Sequence, residues 1–176
     1  MHRMALAVLM LITADSLLQT LSAGASRPAL ATPQTQTERE KCLAVIVNRS
    51  NPIENLSFAE LRRIFLGERS HWPNGRRITV VMLEPEQAER KAILNQVYQM
   101  NERDFNRHFV QATFTGEVFS APKTLATSTG MRKFVFNLPG AIGYVHAEEV
   151  DDSVKVVRVD GRLPGDKGYE LKCEAC

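Results

Sequence analysis

The chain has 176 residues and a formal net charge of +2, with 22 basic and 20 acidic residues interspersed along its length. This balance argues against a nucleic-acid-binding protein, which would carry a stripe of basic charge. The length beyond an N-terminal leader suits one domain with a hydrophobic core.

The first 25 residues have the layout of a secretory signal peptide. Basic residues precede an apolar run from Ala5 to Ile12, and small residues follow at Ala23–Ala25. Asp15 interrupts the apolar stretch, so it is too short for a transmembrane helix of about 20 residues. We therefore expect cleavage after Ala25, a location in the periplasm or outside the cell, and a flexible linker over residues 26–40.

All three cysteines lie beyond the expected cleavage site, at Cys42, Cys173 and Cys176. An exported chain is expected to oxidise its cysteines, which predicts one disulfide and one remaining thiol. We expect the bond to run from Cys42 to the C-terminal tail, residues 161–176, with the choice of partner left open.

The first half of the predicted domain, which spans residues 41–160, reads as strand, helix, strand. Leu43–Val47 is apolar without alternation, as in a strand covered on both faces. Ser57 and Glu60 have the spacing of a capping box, and Gly67 is a helix stop. Ile78–Leu83 is a second apolar strand.

The second half continues the alternation. The pattern predicts a helix from Glu86 to Met100, a helix capped by Asn101 and Asp104, a helix opening at Ser128 or Thr129 and ended by Pro139-Gly140, and strands at Ala141–Val145 and Val154–Val159. The segment "FTGEVFSAPKT" has no clear period. The whole order indicates an α/β fold, a three-layer α/β/α sandwich with a mixed, mostly parallel sheet.

Catalytic and metal-binding motifs are missing from the sequence. His71, His108 and His146 belong to no nucleophile elbow or triad motif, and no two of them have metal-ligand spacing with a carboxylate. The sequence therefore predicts a protein that is not an enzyme and that holds no metal or cofactor.

Anion binding at a helix start is the chemistry that the sequence supports better, because free N–H groups and the positive dipole end converge there. Three helix starts qualify, and the candidate contacts are Ser50 and Asn51 before the first helix and Arg90 in the second. Glu84 and Glu86 place negative charge where an anion would dock at the second helix. Arg90 is also compatible with an ordinary exposed helix arginine.

The order of three segments resembles a known family. "AVIVNRSNPIENLSFAELRRIFLGERSHWPNGRRITVV", "FTGEVFSAPKT" and "FNLPGAIGYV" follow one another from Ala44 to Val145, as in the phosphate-type substrate-binding proteins of ABC transporters and their short, single-lobe relatives. The resemblance implies one lobe of a type II periplasmic binding protein, a small oxyanion such as phosphate as ligand, and a membrane permease as partner. Full-length relatives carry Ser-Gly-Thr at the start of the second helix. Here "LEPEQAER" keeps only Arg90.

Two functions stay open at this point. One is an exported substrate-binding-like protein that serves an ABC transporter. The other is an accessory or interaction domain of the cell envelope that keeps the fold without a complete ligand site. Its surface would then bind another envelope protein or a second copy of the chain.

Overall fold

The computed structural model describes residues 42–118 and 120–173. The expected signal peptide, the linker 26–40 and Cys176 lie outside these ranges. The described elements are, in chain order, β1 (Leu43–Asn48), β2 (Asn55–Leu56), α1 (Phe58–Phe65), β3 (Thr79–Leu83), α2 (Ala88–Ile93), a π-helical turn (Leu94–Tyr98), α3 (Glu102–Phe114), β4 (Lys123–Leu125), α4 (Ser128–Asn137), β5 (Ala141–His146), a 3₁₀ turn (Ala147–Glu149), β6 (Val154–Val156) and β7 (Arg158–Val159).

A five-stranded sheet forms the centre, in the order β4-β3-β5-β1-β6, beside a small sheet of β2 and β7. β3 is parallel to β4 and to β5, whereas β1 is antiparallel to β5 and to β6. Four strands therefore run in one direction and β1 runs against them, which confirms the mixed, mostly parallel sheet. Every residue of β1 is buried, as its unbroken apolar run predicts.

Neighbouring residues on β5 show how both faces of the sheet are covered. Gly143 lies beneath α4, where a Cβ atom would come within 2.4 Å of the Met131 sulfur. Tyr144 points to the opposite face, because side chains alternate along a strand. Its hydroxyl accepts a 3.1 Å hydrogen bond from the Leu83 N–H. A cluster of aromatic rings covers that face, formed by Phe65, Tyr98, Phe105 and Phe109. Helices on both faces confirm the three-layer sandwich.

The start and end of α1 follow the sequence pattern closely. The Ser57 hydroxyl accepts from the Glu60 N–H at 3.2 Å, and the Glu60 carboxylate accepts from the Ser57 N–H at 2.9 Å. The Ser57 N–H and the Ser57 hydroxyl both donate to the Glu60 carboxylate, and these two hydrogen bonds lower the pKa of Glu60. Gly67, with φ of 82°, follows the helix in the left-handed region. The predicted capping box and helix stop are confirmed.

The helix expected over residues 86–100 differs from the pattern at both ends. It begins at Ala88, and its second half is the π-helical turn Leu94–Tyr98. Gln99 adopts a left-handed conformation with φ of 56°, and this conformation ends the helix before Met100.

The last predicted strand is divided between two sheets. β6 pairs with β1, whereas β7 pairs with β2. At the crossing point Val157 donates to the carbonyl of Val45, while Arg158 donates to the carbonyl of Glu54.

No helix in the described part of the chain is long and apolar enough to cross a membrane.

Candidate functional site

The carboxyl ends of β3, β4 and β5 share one edge of the sheet, called here the carboxyl edge. After β3 the chain crosses to the face of the sheet that the aromatic cluster covers, and after β4 it crosses to the face that α4 covers. The two connections therefore diverge. In open α/β sheets a ligand crevice forms where connections diverge in this way. A ligand site is therefore expected at this edge, between Leu83 and Leu125.

The crevice at this edge is bridged by the protein itself. The Glu84 N–H donates to the Leu125 carbonyl at 3.1 Å, and the Gln87 side-chain amide donates to the Ala126 carbonyl at 3.5 Å. The exposed carboxylates of Glu84 and Glu86 lie beside it. The start of α2 is therefore a poor binding site for an anion, because negatively charged side chains lie beside it.

Arg90 is a buried residue with all sides of its guanidinium occupied. Its Nε and Nη2 atoms donate to the two carboxylate oxygens of Glu102 at 2.9 and 2.6 Å, and its Nη1 atom donates to the Leu83 carbonyl at 2.8 Å. The guanidinium carbon also lies 4.9 Å from the ring centre of Phe105. Arg90 is therefore not an exposed helix arginine, and its charge is neutralised within the fold.

Ser50 and Asn51 lie at the other end of the sheet, because β1 runs against its neighbours. The Ser50 hydroxyl donates to Asn48 Oδ1 at 2.8 Å. Asn51 is buried, and its side-chain oxygen accepts from the Ile53 N–H at 3.1 Å. Its Nδ2 atom is buried without a hydrogen-bond partner in the described structure. The structure brings Ser50 and Asn51 together but separates both from Arg90.

The start of α4 presents a different set of groups at the carboxyl edge. The Thr127 hydroxyl accepts from the Gly130 N–H at 3.0 Å and caps the helix. The N–H groups of Ser128 and Thr129 precede the first helical hydrogen bonds, as at every helix start. Two hydroxyl groups and two backbone donors therefore lie within one turn.

Arg132 adds a cation to this helix start. Its Nη2 atom donates to the Thr129 hydroxyl at 3.3 Å, and its Nη1 atom pairs with the Asp151 carboxylate. Its Nε atom is buried and has no hydrogen-bond partner in the described structure. Hydrogen bonds from Ser153, and then the charge of Arg132, lower the pKa of Asp151. Sequence reasoning missed Arg132, although its position three residues after Thr129 places both on one helix face.

A second pair of ionisable groups lies between β5 and α2. His146 Nε2 is 3.2 Å from a carboxylate oxygen of Glu89, and both side chains are largely buried. No group of three or more histidine, cysteine or acidic side chains within residues 42–118 and 120–173 is arranged to hold a metal ion.

Comparison with solved structures defines the class of fold. Similar structures include an ABC-type phosphate transport receptor from Vibrio cholerae, at 20% identity and a TM-score of 0.56. Others are a putative phosphate ABC transporter substrate-binding protein with bound phosphate from Clostridium perfringens (24%, 0.58) and PstS from Borrelia burgdorferi (16%, 0.54). No protein-family profile matches the sequence.

The extent of these matches is partial. Each covers 70% of this chain, but only 48%, 47% and 49% of the respective solved chain. The chain thus spans about half the length of the proteins it matches, and the likeness concerns the fold. The resemblance noted in the sequence is confirmed at that level. The chain has an α/β fold similar to part of the phosphate-type substrate-binding proteins.

Proposed function

We propose that this chain is an exported substrate-binding-like protein that takes a small oxyanion such as phosphate at the carboxyl edge, for delivery to an ABC transporter. The observation that carries the proposal is the position of the Arg132 guanidinium over the first turn of α4. The likeness of the fold to phosphate-binding proteins supports the same ligand class.

The chemistry of the α4 start suits an oxyanion. The N-terminal end of a helix carries partial positive charge, and a multiply charged oxyanion accepts several hydrogen bonds at once. Ser128 and Thr129 supply backbone and hydroxyl donors, and Arg132 supplies a planar set of donors. Asp151 competes for Arg132, but its carboxylate is about half exposed, at 47%. Solvent screens this ion pair on the Asp151 side, so a bound anion can replace the carboxylate.

The three contacts proposed from the sequence, Ser50, Asn51 and Arg90, have a secondary place in this function. Binding at Arg90 requires the Arg90–Glu102 pair to open, and binding at Ser50 and Asn51 requires a second site at the opposite end of the sheet. The proposal therefore centres on Arg132, and these three residues are secondary contacts to be tested after it.

Thermal unfolding of the purified protein tests this function. Phosphate, sulfate and molybdate are each added at matched ionic strength, with chloride as the reference salt. Binding to the folded state adds about 2.7 kcal/mol of stability at 100 times the dissociation constant, so the melting temperature rises. If none of the three anions raises it more than chloride does, the oxyanion function is wrong.

Variants at α4 locate the site. Arg132→Gln is expected to weaken anion binding by about 10- to 150-fold, since a hydrogen bond to a charged group contributes about 1.5–3 kcal/mol. Asp151→Asn is expected to strengthen it, because the competing carboxylate is gone. Lys133→Gln, an exposed neighbour on the same helix, is the matched control and leaves binding unchanged. Equal effects of Arg132→Gln and Lys133→Gln would place the anion elsewhere.

The neutralised state of Arg90 favours a second function, an accessory or interaction domain of the cell envelope. Arg90 is paired with Glu102, and the crevice beside it carries Glu84 and Glu86, so the start of α2 is unfavourable for an anion. Chemical cross-linking in intact cells, followed by mass spectrometry, tests this function. It predicts a specific product with another envelope protein or with a second copy of the chain. Recovery of the uncross-linked monomer alone contradicts it.

A further inference from the structure

The outer side of α3 carries large apolar side chains that are exposed to solvent. Phe105 and Phe109 point inward and are buried. On the opposite side of the helix, Val110 is 72% exposed and Phe114 is 93% exposed. An exposed phenylalanine next to an exposed valine adds nothing to the core, and such patches mark interaction surfaces.

A groove lies beside these side chains. It has a volume of about 550 Å³ and runs between α3 and the segment that enters β4. Phe105, Asn106, Val110, Phe114, Pro122 and Thr124 line it. β4 pairs with β3 on one side and has no partner strand on the other within the described sheet. The apolar stripe, the groove and an open sheet edge therefore occupy one side of the molecule.

We propose that this side of α3 binds the same surface of a second copy of the chain. The two α3 helices lie antiparallel, with the twofold axis close to Val110. Such an interface is isologous, so each contact occurs twice. Antiparallel pairing about Val110 brings Phe114 of each copy opposite Asn106 of the other, at the mouth of the groove.

Charge along the stripe supports this arrangement. Arg103 lies in the first turn of α3, and Glu117 follows the C-terminal end of the helix, after Gly116. Antiparallel pairing therefore brings the end of α3 that carries Arg103 beside the end of the partner helix that Glu117 follows. Both side chains are exposed, and neither makes an ion pair within the described residues. Opposite charges at the two ends of an apolar centre favour the antiparallel orientation.

The helix dipole gives a further reason for the same orientation. Arg103 lies in the first turn of α3, where positive charge is disfavoured, and Glu117 follows its last turn, where negative charge is disfavoured. In an antiparallel pair, each of these residues faces the end of the partner helix that favours its charge. A single copy leaves both charges unfavourably placed, and a symmetric dimer corrects both.

This inference rests on the second candidate function in taking another copy as the partner, and it does not use the anion site. Groups of α4 form that site, and α4 covers the opposite face of the sheet. If the protein binds phosphate but forms no dimer, the proposed interface alone is wrong. If it forms the dimer but does not bind phosphate, the oxyanion function alone is wrong.

Sedimentation equilibrium of the purified protein in the presence of a reductant tests the association. The reductant excludes a dimer held by cysteines. We expect a reversible dimer at micromolar concentration, and Phe114→Asp is expected to weaken it by at least about tenfold, as for a central interface residue. Phe136→Asp is the control, since Phe136 is 55% exposed but lies on α4. A monomer at the highest soluble concentration, or equal weakening by both variants, overturns the proposal.

A charge exchange tests the orientation. Arg103→Glu and Glu117→Arg are each expected to weaken the dimer, because each sets two like charges opposite each other. The chain that carries both changes is expected to recover most of the affinity, since the pairs are re-formed with reversed sign. A double variant that is no better than the single ones contradicts antiparallel pairing about Val110.

Discussion

Arg90 and Glu102 join the start of α2 to the start of α3 through two hydrogen bonds, of 2.9 and 2.6 Å. The arginine side chain is 4% exposed and the glutamate side chain 34% exposed. The pair fixes the two helices against each other above the end of β3, where Arg90 also holds the Leu83 carbonyl. A residue expected to receive a ligand thus has a structural partner of its own.

Glu102→Gln is expected to destabilise the fold by about 2 kcal/mol, less than the 3–5 kcal/mol typical of a fully buried pair because Glu102 is partly exposed. The loss arises from the uncompensated charge of Arg90. Urea unfolding monitored by circular dichroism measures it. The change Glu86→Gln, at an exposed carboxylate of the same edge, is the control and should stay within about 0.5 kcal/mol of the parent. If the two variants are equally stable, Arg90 does not depend on this pair.

The three tyrosines of the chain predict how stability depends on alkaline pH. Tyr98, Tyr144 and Tyr169 are all buried, and burial raises the pKa of each phenol above its usual value, since the charged phenolate is desolvated. The folded state keeps these protons at a pH where the unfolded chain releases them. Stability is therefore full below about pH 10 and falls above it, by up to about 4 kcal/mol per pH unit for three groups together.

Tyrosinate absorbance checks this prediction. We expect no gradual ionisation near the ordinary pKa of tyrosine, followed by one step that coincides with loss of the circular dichroism signal. Tyr144→Phe should lower stability at neutral pH by about 1–3 kcal/mol, since the buried Leu83 N–H loses its acceptor. A smooth titration that precedes unfolding would show that the tyrosines are accessible.

Local sequence signals predicted most of the fold. The box of Ser57 and Glu60, the stop at Gly67 and the unbroken apolar run of β1 each depend on neighbours in the sequence, and each is confirmed. β4 was missed because it has only the residues Lys123–Leu125 and no buried alternation. The division of the last strand was missed as well, because it depends on where β1 and β2 lie in space.

The site was harder to predict, because its contacts join distant segments. The pairing of Arg90 with Glu102 crosses from one helix to the next, and nothing local distinguishes it from an exposed arginine. The separation of Ser50 and Asn51 from Arg90 follows from the antiparallel direction of β1, which an apolar run does not reveal. Arg132 carried a local signal, its spacing from Thr129. Its ion-pair partner Asp151 follows β5 and is distant in the sequence, so the pair had no local signal.

The position of the C-terminal tail predicts where Cys42 forms a disulfide. Cys42 lies opposite Lys172 in an antiparallel bridge, and the Leu43 N–H donates to the Leu171 carbonyl at 2.9 Å. Cys173, the next residue, is buried like Cys42. The bridge brings Cys42 to the tail, so we predict a disulfide from Cys42 to a tail cysteine in the exported protein, with Cys173 as the partner to test first and a contribution of about 2–4 kcal/mol to stability.

Peptide mapping of the non-reduced, alkylated protein identifies the pair. It also shows whether the chain begins at Ser26, as the expected cleavage requires. Cys173→Ser should remove the bond and lower the melting temperature, whereas Cys176→Ser should change neither. The reverse result would assign the bond to Cys176.

Two glycines of the segment "PGAIGYV" are expected to resist substitution to different degrees. A Cβ atom on Gly140 would lie 2.1 Å from the Arg77 carbonyl oxygen, whereas one on Gly143 would meet the Met131 side chain at 2.4 Å. Backbone has little room to move here, because the Gly140 carbonyl accepts from the Thr79 N–H and the Trp72 indole N–H, each at 3.0 Å. Gly140→Ala should therefore cost about 3 kcal/mol or more, and Gly143→Ala about 1–3 kcal/mol.

A double-mutant cycle separates the two causes. Met131→Leu shortens the side chain above Gly143, so combining it with Gly143→Ala should recover part of the lost stability, with a coupling of about 0.5–3 kcal/mol. The same Met131→Leu change should do nothing for Gly140→Ala, whose conflict is with backbone. Urea unfolding of the five variants gives the energies. If Met131→Leu rescued both alanines equally, or neither, packing of α4 on β5 would not be what requires a glycine at position 143.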